Sequence, residues 1–239
     1  MDLYERRRWN ENHKKLTNIV LKPEWHQAAV ELFREHHGVL HASGVQGQGQ
    51  GQATLEEVLF RDLRESDFRS YPVPMADTAN SIAWHVWHIT RIEDMTVNVL
   101  MLGEAQCYHS GEWGRKLGCS VPHSGNEMTA DEIARLSAEL NMEALLAYRK
   151  EVGRKTQHAV AALKPGDFRK KVDSSRLERL RWQGAVKPEA LWLLDYWGKK
   201  TVAGLLLMPA SRHLFLHLNK ALRIKHKLQK AGGHEDGQE

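Results

Sequence analysis

The stretch from Lys199 to about Lys230 restricts the fold of this chain more than any other. At about 100° per residue, Leu206, Ala210, His213, His217, Ala221, Ile224 and Leu228 fall within one stripe of a helix. A helix with such a stripe holds its shape in water by burying that face against other elements. Pro209 lies inside the pattern and removes a backbone hydrogen bond, which predicts a kink near Leu205.

Three more long helical patterns can supply the covering elements. The first opens at Pro23, a residue type favoured in a first turn, and runs through PEWHQAAVELFREHHGVLH to about His41. Val30, Phe33, His37 and His41 share its apolar face. The second runs from Thr78 to Gly103, with Ile82, His85, Val86, Ile89, Ile92, Thr96, Val99 and Leu100 in its stripe. The third starts at a capping box, Thr129 to Glu132, and reaches about Leu163; its stripe changes phase near Asn141, which predicts a bend or break. Another capping box, Thr54 to Glu57, starts the short helix TLEEVLFRDL. Shorter helices are expected within 174–195, and 103–125 reads as loop. Gly44 to Gln52 has no apolar anchor and predicts a flexible Gly/Gln loop; 231–239 predicts a disordered tail. No segment alternates with the period of a strand. The expected fold is all-α: a four-helix bundle with additional short helices and loops, in one domain over 1–230.

Composition excludes several classes. The chain has 239 residues, 41% hydrophobic and 27% charged, which suits a globular core. No apolar run approaches the roughly 18 residues of a membrane helix. The opening MDLYERRRWNENHKK has no apolar segment after its arginines, so neither a signal peptide nor an anchor is expected there. Two cysteines, Cys107 and Cys119, do not make a disulfide framework, and reducing cytoplasm is the expected home. The net charge of +4 gathers in Arg6 to Arg8 and Arg223 to Lys230 with no nucleic-acid motif, so no nucleic-acid partner is expected.

The histidines carry the chemistry. His213 and His217 are four apart at the centre of the last stripe, between Ala210 and Ala221, which leave room beside them. Two imidazoles on an apolar face need partners, and one divalent ion satisfies both, although core histidines bonded to side chains would do so too. The second helix offers His85 inside its stripe and His88 on its edge. Bundles build metal sites by projecting such residues inward from facing helices, and three histidines leave one coordination position open. His37 and His41 form another pair, read chiefly as a helix end near solvent. Glu93 falls on the buried side, where an arginine from another helix is its expected partner; Arg91 and Asp94 point away. Cys107, His109, Cys119 and His123 do not have the spacing of a zinc finger. Trp84, Trp87, Trp182, Trp192 and Trp197 read as packing residues, and Trp113 as a loop residue.

NSIAWHVWHITRIED, followed far downstream by MPASRHLFLHLNKALRIK, resembles the DinB/YfiT-like superfamily over roughly 23–230. His88 matches the histidine of the family's second-helix motif, and His213 and His217 match its last-helix pair. The resemblance implies a four-helix bundle, a metal site of His88, His213 and His217, and frequent homodimers. The implied cofactor is a divalent ion, zinc foremost, with nickel or iron as alternatives. Some family members are thiol-dependent S-transferases acting with a low-molecular-weight thiol on a small electrophile; others were named metal-dependent hydrolases. Two readings follow. One is an enzyme whose ion lowers the pKa of whatever occupies the open position. The other is a non-catalytic metal- or ligand-binding helical protein related to stress.

Overall fold

The computed structural model describes residues 3–45, 53–119 and 121–232. Most of the expected Gly/Gln loop and of the C-terminal tail lie outside them. Among the described residues the chain is helical, with no strand; two isolated bridges, Met75 to Thr78 and Lys171 to Thr201, tie connections together.

The first helix, α1 (Leu3–Ile19), has no long apolar stripe, and periodicity alone did not reveal it. It stays in place through a few large side chains: Trp9, Leu16 and Val20 are buried. Pro23–Trp25 make one tight turn, and α2 (His26–Gly38) follows with Ala29, Val30, Phe33, His36 and His37 buried. The short α3 (Leu55–Phe60) begins at the expected capping box: the Thr54 side chain accepts from Glu57 N, and the Glu57 carboxylate accepts from Thr54 N. α4 (Glu65–Arg69) leads to the connection before the central helix.

That helix, α5 (Ile82–Asp94), starts later than Thr78. Ser81 is the cap, its hydroxyl accepting from Trp84 N at 2.9 Å, whereas Thr78 accepts from Asn80 N before the helix begins. α5 continues as a π-helical stretch, Met95–Met101. Every residue from Ile82 to Met101 is buried, so α5 is covered on all sides and not along one stripe. The segment expected as loop does the covering. It contains α6 (Cys107–Ser110) and α7 (Trp113–Lys116), and α6 is fixed by α5 itself: Asp94 accepts from Cys107 N at 2.8 Å and Tyr108 N at 2.9 Å. Asp94 also accepts from the Tyr148 hydroxyl. Arg91 donates to Tyr148 Oη, Gln106 Oε1 and the Pro122 carbonyl, and lies over the Tyr108 ring. The expectation that Arg91 and Asp94 face outward is thereby corrected: both are fully buried, and the two charges share one hydrogen-bond network.

α8 (Ala130–Glu139) and α9 (Met142–Ala161) meet at the expected break, where Asn141 caps α9 by accepting from Ala144 N. α10 (Ser174–Trp182) and α11 (Trp192–Gly198) fill the following segment. The last pattern divides into α12 (Val202–Leu207), a π-helical turn at Met208–Arg212 that contains Pro209, and α13 (His213–Gly232). The proline thus widens the helix one turn later than the kink expected at Leu205. α2, α5, α9 and α12–α13 form the bundle, with α5 against both α9 and α13, α2 against α9, and α1 along α2.

The core has two apolar clusters. One gathers Ile82, Trp87 and Ile89 of α5 with Leu145 and Val152 of α9 and Leu214, Leu218 and Ile224 of α13. The other gathers Ile92 to Met101 with Phe33, Val160, Trp197, Leu205, Leu206 and Ala210. Each helix changes cluster at a polar residue: α2 at His37, α5 at Arg91, Glu93 and Asp94, α9 at Thr156 and Gln157, and the last helix at Ser211 to His213. Fully buried leucines and isoleucines in each cluster contribute about 1.5–3 kcal/mol apiece by burial, and this outweighs the desolvation of a paired polar layer between them. Of the tryptophans read as packing residues, Trp84, Trp87 and Trp197 are buried, but Trp182 is 86% and Trp192 49% exposed. Both belong to short helices with too little partner surface to cover them. Trp113 is buried, its indole donating to Glu151.

Candidate metal centre

α5 and α13 pack directly on each other, and both carry histidines at their contact. His88 projects from the second turn of α5, and His213 and His217 from the first two turns of α13. One ring nitrogen from each of His88, His213 and His217 can be chosen so that all lie within 4.8 Å of one another. His88 Nε2 and His213 Nε2 are 3.2 Å apart. Two ligands of a tetrahedral ion at about 2.0–2.1 Å would stand roughly 3.3–3.4 Å apart, so this pair already has the separation that a shared ion requires. His88 is buried, and His213 and His217 are partly buried.

The tautomer of His88 is set by the backbone. Its Nδ1 lies 2.6 Å from the Ser124 carbonyl, which can only accept, so the proton sits on Nδ1 and Nε2 presents a lone pair. The Trp84 ring stacks on His88, centroids 4.4 Å apart, and fixes its plane. Ser124 reaches this position because Gly125 follows it at φ +89°; a Cβ there would meet Trp87 at 2.5 Å. Nothing in the side-chain pattern marks Ser124, whose contribution is a main-chain oxygen, and the sequence reading missed it.

All these imidazoles are held neutral, the state a cation needs. Burial pushes His88 down to about 4, partly offset by the Ser124 carbonyl. Burial, then His88, Lys220 and Arg223, pushes His85 down to about 3. His213 and His217 fall well below their ordinary value, through burial first and their fellow histidines next. His85 lies outside the group of three but touches it, its Nδ1 2.9 Å from His217 Nδ1. The donor set, its spacing and its protonation fit a divalent ion.

A second group of donors, His37, His41 and Glu93, is wholly buried. This corrects two expectations. His37 and His41 are not at a solvent-facing helix end, because α9 covers them: a Cβ on Gly153 would come within 2.7 Å of His41 Nδ1. Glu93 pairs with imidazoles, not with an arginine. Its carboxylate meets His37 Nε2 at 2.7 Å and His41 Nε2 at 3.1 Å, and accepts from the Thr156 hydroxyl at 2.7 Å. The buried arginine of this region, Arg149, binds Glu56 instead. Hydrogen-bond bookkeeping separates this group from the first. Gln157 is fixed by Arg34, its Oε1 accepting from Arg34 Nε and its Nε2 donating to the Arg34 carbonyl. That same Nε2 faces His37 Nδ1 at 2.9 Å, so Nδ1 accepts, and the His37 proton is on Nε2, pointing at Glu93. A nitrogen that donates to a carboxylate has no lone pair for an ion. His37, Glu93, Thr156 and Gln157 thus form a hydrogen-bonded lock between α2, α5 and α9, and His41 lies beside the Glu93 carboxylate at ion-pair distance.

Cys107 and Cys119 are buried free thiols, both pushed up by burial, Cys119 to about 12, and among the described residues they form no metal-sized group with His109 and His123. A cleft of about 760 Å³ lies against the second cluster, lined by Leu100, Lys155, Asp167, Lys171 and Arg176 among others; its charges are of both signs and the three histidines do not border it.

An all-α bundle with three neutral histidines converging from two core helices is the class that fold and site define. A family model of the DinB superfamily matches residues 47–219, and the chain belongs to that superfamily. α1 and α2 lie ahead of the matched residues. A crystal structure of a conserved protein from Enterococcus faecalis is 15% identical, with a TM-score of 0.47, over 72% of this chain and 89% of that one. No curated protein matches. No helix among the described residues is long and apolar enough to cross a membrane.

Proposed function

We propose that this protein is a metal-dependent enzyme that holds one divalent ion, zinc before nickel or iron, through His88, His213 and His217, and transfers a low-molecular-weight thiol to a small electrophile. The observation that carries the reading is the convergence of three neutral imidazoles at ligand spacing. A structural zinc site closes its fourth position with a protein ligand; among the described residues this group has three members. A set of three protein donors favours catalysis over a purely structural ion. A divalent ion bound there supplies Lewis acidity, which makes a thiol or a water nucleophilic near neutral pH. The chain's own contribution is to keep its three imidazoles unprotonated, to fix the His88 ring between Trp84 and the Ser124 carbonyl, and to exclude water from the buried side. Thiol transfer is preferred to hydrolysis on the family resemblance; both would use the same site.

The test is elemental analysis of purified protein, followed by assay of metal-loaded and chelator-stripped forms against a panel of thiols and electrophiles. About one ion per chain is expected, with thiol consumption that disappears on stripping and returns on reloading. Thiol-independent cleavage of ester or amide substrates would assign hydrolysis instead. A protein that gains no activity on loading would support the non-catalytic, metal-binding reading.

A further inference from the structure

Among the described residues, His85 is the histidine that touches the group without belonging to it. Its Nδ1 lies 2.9 Å from His217 Nδ1, and its Nε2 lies 3.2 Å from the Thr78 hydroxyl oxygen. Two imidazole nitrogens in hydrogen-bond contact share a single proton, so one donates and the other accepts. Because His217 Nδ1 is engaged with His85, Nε2 is the nitrogen left for an ion. A neutral imidazole that offers its Nε2 lone pair carries its proton on Nδ1. That proton points at His85 Nδ1, which must accept it. His85 then carries its own proton on Nε2 and donates to Thr78. The Thr78 oxygen also accepts from Asn80 N at 3.1 Å, so its two lone pairs meet two donors and the chain closes without conflict. The opposite direction, from the Thr78 hydroxyl through His85 to His217, would put the His217 proton on Nε2 and block the ion.

We propose that His85 is a positioning residue of the metal centre: with Thr78 behind it, it holds His217 in the tautomer and orientation that turn Nε2 toward the ion. The Ser124 carbonyl does the same for His88. Among the described residues, His213 Nδ1 is buried without a partner and has no such support. The chain Thr78–His85–His217 links the segment before α5 to α13, so the site depends on how that segment is seated. This inference rests on the three-histidine reading and adds a residue to it.

The test uses the full chain with zinc affinity measured by chelator competition, and with the imidazole count read by X-ray absorption. His85→Leu removes the acceptor; His85→Asn keeps one near the Nδ1 position; Thr78→Val removes the end of the chain while leaving His85 in place. His85→Leu is expected to weaken zinc binding by about 10–100-fold with the imidazole count unchanged, the usual cost of losing an outer partner of a ligating histidine. His85→Asn should recover most of that loss, and Thr78→Val should show a smaller loss in the same direction. Wild-type affinity in His85→Leu overturns the proposal. So does the loss of one imidazole from the ion's surroundings, which would make His85 a ligand, and so does unchanged affinity in Thr78→Val if His85→Leu fails to fold. Failure of the underlying reading looks different: His213→Ala would keep its zinc at wild-type affinity.

Discussion

Replacing His36 by phenylalanine should flatten the acid limb of this protein's stability curve. His36 lies against Trp9, ring centroids 4.0 Å apart, is 2% exposed, and has an Nε2 with no hydrogen-bond partner. Burial, and then the neighbouring His13, His37 and Arg212, push its pKa from 6.5 down to about 3. The unfolded chain therefore binds a proton between those values that the folded chain refuses. Stability from this group is full above pH 6.5 and is lost as pH falls toward 3, at up to about 1.4 kcal/mol per pH unit. Between pH 7 and pH 5 the loss amounts to about 2 kcal/mol. His36→Phe keeps a ring on Trp9 and removes the proton site. Urea denaturation at pH 7 and pH 5 should show the variant losing about 2 kcal/mol less than wild type over that interval. At pH 7 it should be no less stable, because an unpaired buried nitrogen costing about 1–3 kcal/mol is gone. An identical pH dependence in both proteins would refute the argument that His36 is buried neutral.

Four further outcomes are expected. His213→Ala and His217→Ala should each lower zinc affinity by orders of magnitude in a chelator titration while helix content by circular dichroism stays near wild type, because the two apolar clusters do not depend on the ion. Gly125→Ala should destabilise by roughly 1–3 kcal/mol in thermal unfolding and weaken zinc binding as well, since φ +89° and the Trp87 contact force the Ser124 carbonyl away from His88. Glu93→Gln should cost about 3–5 kcal/mol yet leave metal stoichiometry unchanged, and a lost ion would show that His37, His41 and Glu93 were a metal site after all. Thr129→Ala should cost about 1 kcal/mol in urea denaturation by removing a helix cap; no change would mean that α8 is held by packing alone.

Where a helix begins was readable wherever one residue carries the signal. Thr54, Thr129 and Asn141 each cap a helix with a local side-chain contact, and sequence spacing shows such contacts directly. Thr78 was misread because a second hydroxyl, Ser81, stands three residues on and binds Trp84 N first. Periodicity found the inward faces of α2, α5 and α13, but it reports only that a face is apolar. It could not show that α6 and the carbonyl of Pro122 fold back over the polar side of α5, so Arg91 and Asp94 were assigned to solvent. The same limit hid the Glu93 lock, whose members come from helices distant in sequence. The candidate site was partly visible for the opposite reason. His213 and His217 are adjacent on one helix, and spacing alone pairs them. His88 and His85 are a turn apart on α5, and spacing does not say which would lie in the group and which beside it.

The two π-helical stretches, Met95–Met101 and Met208–Arg212, touch each other and lie on the two helices that carry the histidines. A π turn holds one residue more than an α turn, which makes it a register adjustment within a continuous helix. Leu205 and Leu206 are phased to one apolar cluster, and His213, Leu214 and His217 to the other side of the adjustment. Deleting a single residue from Met208–Arg212 would return the wide turn to an ordinary α turn and leave the helix beyond it in nearly the same phase, whereas deleting one from the α turns beside it would rotate everything beyond by about 100°. In the second case His213 and His217 would swing away from His88, and Leu214, Leu218 and Ile224 would leave the first cluster with them. A change of length inside the π turn is therefore absorbed where it occurs, whereas one in the α turns beside it disturbs the three histidines and the first apolar cluster together.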